Sequence, residues 1–394
     1  MPADTMKIQS IETYVLRMPL GERKFYSSQC AFPERNSLLV AVRTDTGLCG
    51  WGEGGQCGPA QPVASCIDEI LAPMIIGRDP LTPAVIWEDL YSATRDFGQK
   101  GTYVEAISAI DIALWDILGK ELGAPIHRLL GGARRQAVNA YATGCYYREE
   151  DMSDPEAGAS RMREESAGYA AQGFATVKVK IGLLSLDQDR KRLKAVREAV
   201  GDEVTILADA NHAYNRFTAI RMAHELEELG AGWFEEPVVP EDREAYRAVR
   251  EATSVPVTGG ECEFTRYGFR DLFSGGCVDI AQPDVCACGG ISELMKIQAM
   301  ASAYGVWVLP HVWGSAVALA AALQFLATVP LFPHTAHPVP LQNEPMVEFD
   351  RNPNALRDEL AETPFTLKDG RLAVPQGPGL GIEVREEIVE RYST

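Results

Sequence analysis

The chain has no long hydrophobic run, no basic surplus and no paired cysteines, and each lack removes a class of protein. No stretch approaches the roughly 18 consecutive apolar residues of a membrane helix, so no membrane partner is expected. Lys and Arg number 37 against 55 Asp and Glu, a formal net charge of −18. That balance leaves no basic footprint for nucleic acid. Acidity of this kind serves solubility more than a cationic partner. The nine cysteines are Cys30, Cys49, Cys57, Cys66, Cys145, Cys262, Cys277, Cys286 and Cys288. They are odd in number and scattered, with neither a CxxC pair nor a Cys/His set at zinc spacing. A disulfide framework is therefore not expected, and a reducing cytoplasm is the default setting. The opening MPADTMKIQS carries no apolar signal core.

What is present is enough for a large core. The 394 residues, 46% hydrophobic, exceed one ordinary domain. Residues 6–18 and 37–44 alternate as strands do, and the Asp45-Thr46-Gly47 turn completes an antiparallel meander over 6–54. Helical periodicity follows over 61–75, 81–98 and, most clearly, 103–122, which Gly123 and Pro125 terminate. Strands first and helices afterwards describe an α+β domain. Near 135 the pattern becomes strand–helix alternation, from AVNAYATG (137–144) to MVEFD (346–350). The expected fold is α/β: a modified TIM barrel of the (β/α)7β kind with an N-terminal α+β capping domain. The expected boundaries are 1–132 for the cap, 133–355 for the barrel and 356–394 for a segment returning to the cap. Within that segment FTLKDGRLAVP reads as a hairpin around Asp369-Gly370, packing on the cap. The polar, Gly-rich loops 20–32 and 50–60 are candidate lids over the barrel mouth.

Six polar residues, Lys180, Asp209, Glu235, Glu261, Asp284 and His311, stand at the ends of successive apolar runs. Their spacings are 29, 26, 26, 23 and 27 residues, close to the roughly 30 per unit of a β/α barrel. In such a barrel the C-terminal strand ends share one mouth, so these groups should converge. Asp209, Glu235 and Glu261 crowd three carboxylates, which repel unless a cation neutralises them. An all-oxygen set suits Mg²⁺ or Mn²⁺. Any one of them alone reads as readily as a surface charge; the shared spacing favours a metal site. Lys178 and Lys180 share one face of a strand, Val177 and Val179 the other. Two neighbouring ammonium groups should disfavour each other's charge and yield a usable base. Asp284 beside His311 would orient the imidazole and raise its basicity.

Other residues are secondary candidates. Glu348 could donate a proton to a developing oxyanion. Asn211 and His212 follow Asp209 and could contact substrate, as could Tyr26 in the first lid loop and Trp313. Glu236 and Glu263 stand behind the site. Cys286 and Cys288 suit small-residue packing, while Gly289 and Gly290 open a helix whose amides could hold an anion. Bases on two sides of a dication imply removal of a proton α to a carboxylate.

Long stretches carry a resemblance. SAIDIALWDILGKELGAPIHRLLGG (108–132), VKVKIG (177–182), DANHAY (209–214), WFEEPVVPE (233–241), QPDVCACGG (282–290), HVWGS (311–315) and PGLGIEV (378–384) resemble the enolase superfamily, mandelate racemase subgroup. The resemblance implies Lys180 as a base with Lys178 beside it, Asp209, Glu235 and Glu261 as Mg²⁺ ligands, and Asp284–His311 as a second acid/base dyad. It also implies a small sugar-acid substrate and an assembly of identical subunits. AYATG, DANH, PHVWG and MVEFDRN resemble the branch acting on aldaric acid lactones. The implied reaction opens a 1,4-lactone of galactarate or glucarate to a 3-deoxy-2-keto acid. Ser315 after HVWG and CEF after Glu261 depart from that branch's pattern. The alternatives are an acid-sugar dehydratase, an anhydro-sugar-acid cycloisomerase and, in another class, a non-catalytic sugar-acid-binding protein.

Overall fold

The computed structural model describes residues 6–55, 58–333 and 343–394. Cys57, in the second lid loop, lies outside the described residues. The first unit is a three-stranded antiparallel sheet, β1 (Ile8–Pro19), β2 (Glu34–Thr44) and β3 (Cys49–Gly54), in that order. Helices α1 (Pro83–Thr94) and α2 (Thr102–Glu121) pack with it. The GxGxG alternation of β3 has a steric cause. A Cβ added at Gly52 would stand 1.8 Å from the Ala109 carbonyl oxygen, so only glycine lets the strand lie on α2.

The second unit is a parallel sheet of eight strands. They are β4 (Ala137–Gly144), β5 (Thr176–Lys180), β6 (Thr205–Asp209), β7 (Trp233–Glu235), β8 (Val257–Gly259), β9 (Ile280–Ala281), β10 (Trp307–Val308) and β11 (Met346–Asp350). Strands β4 to β10 pair in chain order, and β11 returns beside β4, with Glu348 opposite Tyr141. Seven helices follow the first seven strands: α3 (Pro155–Ala171), α4 (Leu186–Val200), α5 (Arg216–Glu228), α6 (Arg243–Glu251), α7 (Thr265–Ser274), α8 (Gly290–Ala303) and α9 (Ala316–Leu326). After β11 the only helices among the described residues are the one-turn Ala355–Asp358 and, near the end of the chain, the short Glu386–Tyr392, which leaves the (β/α)7β pattern expected.

Strand alternation sorts the side chains. Val177, Val179, Ile206, Ala208 and Phe234 join the cluster under the helices. Tyr141, Leu207, Trp233, Ile280 and Leu309 fill the interior instead. The polar residues in phase with that inner set therefore emerge at the mouth.

Two details correct or sharpen the sequence reading. The hairpin β12 (Leu367–Lys368) and β13 (Arg371–Ala373) does not pack on the cap; β13 pairs antiparallel with β4, Arg371 opposite Asn139. The last residues do reach the cap, through the bridge between Ser393 and Leu16. The group that the first turn of α8 receives is the chain's own Asp111, whose carboxyl accepts from the Ser292 amide at 2.9 Å. Gly289 amide donates to Ser108 Oγ at 2.9 Å, and a Cβ on Gly290 would meet Asp111 at 2.5 Å. The two glycines thus dock the cap. Cys286 and Cys288 are fully buried, as packing residues are. Glu53 of β3 makes a second dock. It accepts from the amides of Ser315 (2.8 Å) and Ala318 (2.9 Å) and from the Ser315 hydroxyl (2.6 Å), holding the first turn of α9.

Candidate active site

Lys178 and Lys180 belong to β5, Asp209 ends β6 and Glu235 ends β7. Glu261, Asp284 and His311 lie a few residues beyond β8, β9 and β10. Asp209, Glu235 and Glu261 each bring a carboxylate oxygen within 4.8 Å of the others. Lys180 Nζ donates to Asp209 Oδ2, and to Asn211 Oδ1 at 2.8 Å. Lys178 Nζ reaches Glu348 Oε1 at 2.7 Å, Glu235 Oε1 at 2.8 Å and Asp209 Oδ2 at 3.6 Å. His311 Nδ1 lies 2.7 Å from Asp284 Oδ2, and its Nε2 faces Glu261 Oε2 at 3.6 Å. The amine and the imidazole therefore approach the carboxylate trio separately, Lys180 from the Asp209 side and His311 from the Glu261 side.

The trio fits a hard dication. All three donors are carboxylates, and Glu261 Oε2 is buried without a hydrogen-bond partner among the described residues. The electrostatics of the protein atoms alone show the same need. Burial, then Asp209, push the Glu235 carboxyl up to about 8, although Lys178 pulls the other way. Burial also raises Glu236 well above the carboxylate range, with Glu261 and Asp209 adding to it. For Asp209 burial opposes ionisation, but Lys180 and Lys178 outweigh it and hold the group below its ordinary value.

Two expectations about proton affinity are overturned here. Burial works against the charge of Lys178 and Lys180, yet both stand above the ordinary amine value. Glu235 and Glu348 hold Lys178 charged, and Asp209 holds Lys180. The mutual repulsion of the lysines is the smaller effect. Glu348 is drawn toward the ionised form in this arrangement. Against its burial, Lys178 and His311 bring it down to about 2, and it accepts from Thr143 Oγ1 at 2.5 Å and the Val312 amide at 3.1 Å. His311 behaves as expected. Burial disfavours its charge, but Glu261, the Asp284 bond and Glu348 raise it from 6.5 to about 10.

Asn211, His212 and Glu236 take left-handed backbone, with φ of 41°, 66° and 43°. Such conformations cost of the order of 1–3 kcal/mol and are held by surrounding structure. Above the trio lies a cavity of about 460 Å³, lined by Cys30, Phe32 and Arg35 of the cap and by Asn211, His212, Glu261, Cys262 and Trp313. The first lid loop is fastened over it, for Ser28 Oγ donates to the Ala210 carbonyl and Gln29 Nε2 to that of Asn211, both at 2.6 Å. Tyr26 does not join the lining; its hydroxyl is turned toward Glu149, 3.4 Å away. Glu263 binds Lys100 at 2.7 Å. Arg35 was not legible as a site residue. It stacks 3.9 Å from the Trp313 ring and pairs with Asp350 at 2.8 Å, contacts that join positions 278 and 315 residues apart.

A core of this shape, with carboxylates at three successive strand ends and an amine and an imidazole on its flanks, defines a class. Residues 10–131 match the family described as mandelate racemase / muconate lactonizing enzyme, N-terminal domain, and residues 161–388 match the one described as enolase C-terminal domain-like. The chain belongs to the enolase superfamily, in its mandelate racemase / muconate lactonizing enzyme branch.

Within that branch, it is 43% identical over 390 residues to D-galactarolactone cycloisomerase of Agrobacterium fabrum, covering 98% of this chain and 99% of the relative. Arabinonate dehydratase of Saccharolobus solfataricus is 37% identical and covers 90% of each chain. The crystal structure of 3,6-anhydro-D-galactonate cycloisomerase from Zobellia galactanivorans superposes with a TM-score of 0.86 at 39% identity, covering 98% of this chain and 99% of that one.

Proposed function

We propose that the protein is a cycloisomerase that opens a 1,4-lactone of galactarate or glucarate to a 3-deoxy-2-keto hexarate. The observation that carries the reading is the placement of Lys180 and His311 against a carboxylate trio, in a chain 43% identical to a galactarolactone cycloisomerase. Asp209, Glu235 and Glu261 would hold Mg²⁺, which supplies positive charge to the substrate carboxylate as its α-proton leaves.

The chain's own residues do the rest. One of Lys180 and His311 takes the α-proton. Lys180 serves as base once the charge of Asp209 is engaged elsewhere, because that carboxylate is what holds its proton. Asp284 fixes His311 with Nδ1 bonded and Nε2 turned to the site. The C–H electron pair forms a C–C double bond and expels the β-oxygen of the ring as a free carboxylate. The resulting enol takes a proton at the β-carbon and becomes the ketone. No water is lost, so substrate and product have equal mass. Phe32 of the cap and Trp313 of the barrel, part of an aromatic cluster with ring centroids 5.4 Å apart, wall the cavity. Asn211 and His212 reach it from the barrel.

The second reading, dehydration of an open-chain sugar acid, is favoured by the similarity to arabinonate dehydratase. A panel of aldarate lactones, aldarates and aldonates, followed by proton NMR in D₂O and mass spectrometry, decides between them. Turnover of a lactone at constant mass supports the proposal. A product about 18 Da lighter (one water) from an open acid replaces it with the dehydratase. Binding without α-proton exchange would point to the non-catalytic alternative.

A further inference from the structure

A second trio of ligand-type residues lies just beyond the first. His212 follows Asp209 by three residues, Glu236 follows Glu235 by one, and Cys262 follows Glu261 by one. The three loops that carry the inner carboxylates therefore carry an imidazole, a carboxylate and a thiol one step further along. Their ligand atoms also fall within 4.8 Å of one another. His212 Nε2 stands 3.2 Å from Glu236 Oε2 and 3.7 Å from Cys262 Sγ. Tetrahedral zinc bonds of ordinary length place N and O about 3.3 Å apart and N and S about 3.6 Å apart. Glu236 is 1% exposed and also accepts from Asn211 Nδ2 at 3.4 Å, whereas Cys262 is exposed and gives an entering ion its path.

We propose that His212, Glu236 and Cys262 form an outer site for one borderline divalent cation, Zn²⁺ being the representative, separate from the inner carboxylate site. The donor set decides the ion, since a thiolate and an imidazole select zinc or cobalt over magnesium. On binding, Nε2, a carboxylate oxygen and the sulfur each form one coordinate bond, and the protons of the Cys262 thiol and the buried Glu236 carboxyl pass to solvent. Carboxylate and thiolate together balance the double charge, and nothing is oxidised or reduced. His212 and Cys262 both line the cavity, so the bound ion stands in the path of the sugar acid. Zinc is therefore an inhibitor of the magnesium enzyme.

The test uses the full chain saturated with Mg²⁺ and titrated with Co²⁺, read by near-ultraviolet thiolate-to-cobalt absorption. One equivalent bound with that band is expected. Cys262→Ser abolishes the band, and His212→Asn weakens cobalt binding roughly tenfold or more. Cys30→Ser, at another thiol lining the cavity, retains both. Thermal unfolding of the Cys262→Ser protein confirms that it is folded. Cobalt bound without a thiolate band, a band that survives Cys262→Ser, or no cobalt bound beyond the inner site each overturns the proposal. None of these readouts depends on which substrate the enzyme turns over.

Discussion

Replacing His311 with Asn in the chelated protein should remove a pH-dependent part of its stability. Glu261, Asp284 and Glu348 keep the folded imidazole charged, raising it from 6.5 to about 10 against the effect of burial. A group raised on folding binds its proton more tightly in the native state than in the unfolded chain. Its contribution is therefore complete below pH 6.5 and is lost as pH climbs through about 10. From these two values the contribution is about 4 kcal/mol at pH 7 and under about 1 kcal/mol at pH 10. The difference in unfolding free energy between wild type and His311→Asn should shrink by roughly 3 kcal/mol across that range. Urea unfolding followed by tryptophan fluorescence, with EDTA present, measures it. Glu235, raised to about 8, also titrates in this window, but it is common to both proteins and drops out of the difference. A difference that stays constant with pH would refute the charged-imidazole arrangement.

Four further outcomes follow from the geometry. Lys180→Ala should reduce turnover by about 10²–10⁴-fold, the usual worth of a positioned base, while circular dichroism and Mg²⁺ affinity stay near wild type; near-normal rates would remove Lys180 from the mechanism. Asp284→Asn should lower kcat by up to about 10⁴-fold by freeing the imidazole to take the wrong tautomer, and should leave KM almost unchanged. EDTA should stop the reaction and Mg²⁺ restore it; a metal-independent rate would contradict the role given to Asp209, Glu235 and Glu261. Glu53→Ala should cost about 3–5 kcal/mol in urea unfolding, because it strands the amides of Ser315 and Ala318 and the hydroxyl of Ser37, which lies 2.6 Å from the carboxylate.

The barrel was legible because two periodicities coincide in it. Strand alternation puts Lys178 and Lys180 on one face and Val177 and Val179 on the other. The repeat length then puts Asp209, Glu235 and Glu261 at equivalent strand ends. Neither signal says what happens between distant segments. Glu53 sits in an unremarkable GWGEGG, and its role appears only when residue 315 arrives beside it. Arg35 and the lid residues Ser28 and Gln29 act across similar distances, where no local pattern exists. The hairpin at 369–370 was visible as a hairpin, but alternation does not say which sheet it joins. The lysine proton affinities failed for a related reason. Adjacent lysines are apparent in VKVK, whereas Glu235 and Glu348, which overrule their repulsion, come from remote strands.

Strand β4 is flanked by β11 on one side and by β5 and β13, end to end, on the other. During synthesis the edge that takes β11 stays without a neighbour from residue 144 until residue 346 has been added, 202 residues later. At ordinary translation speeds of about 5–20 residues per second that interval lasts roughly 10–40 s. Over that interval the nascent chain carries an open sheet margin, the kind of edge at which a strand of another copy can pair.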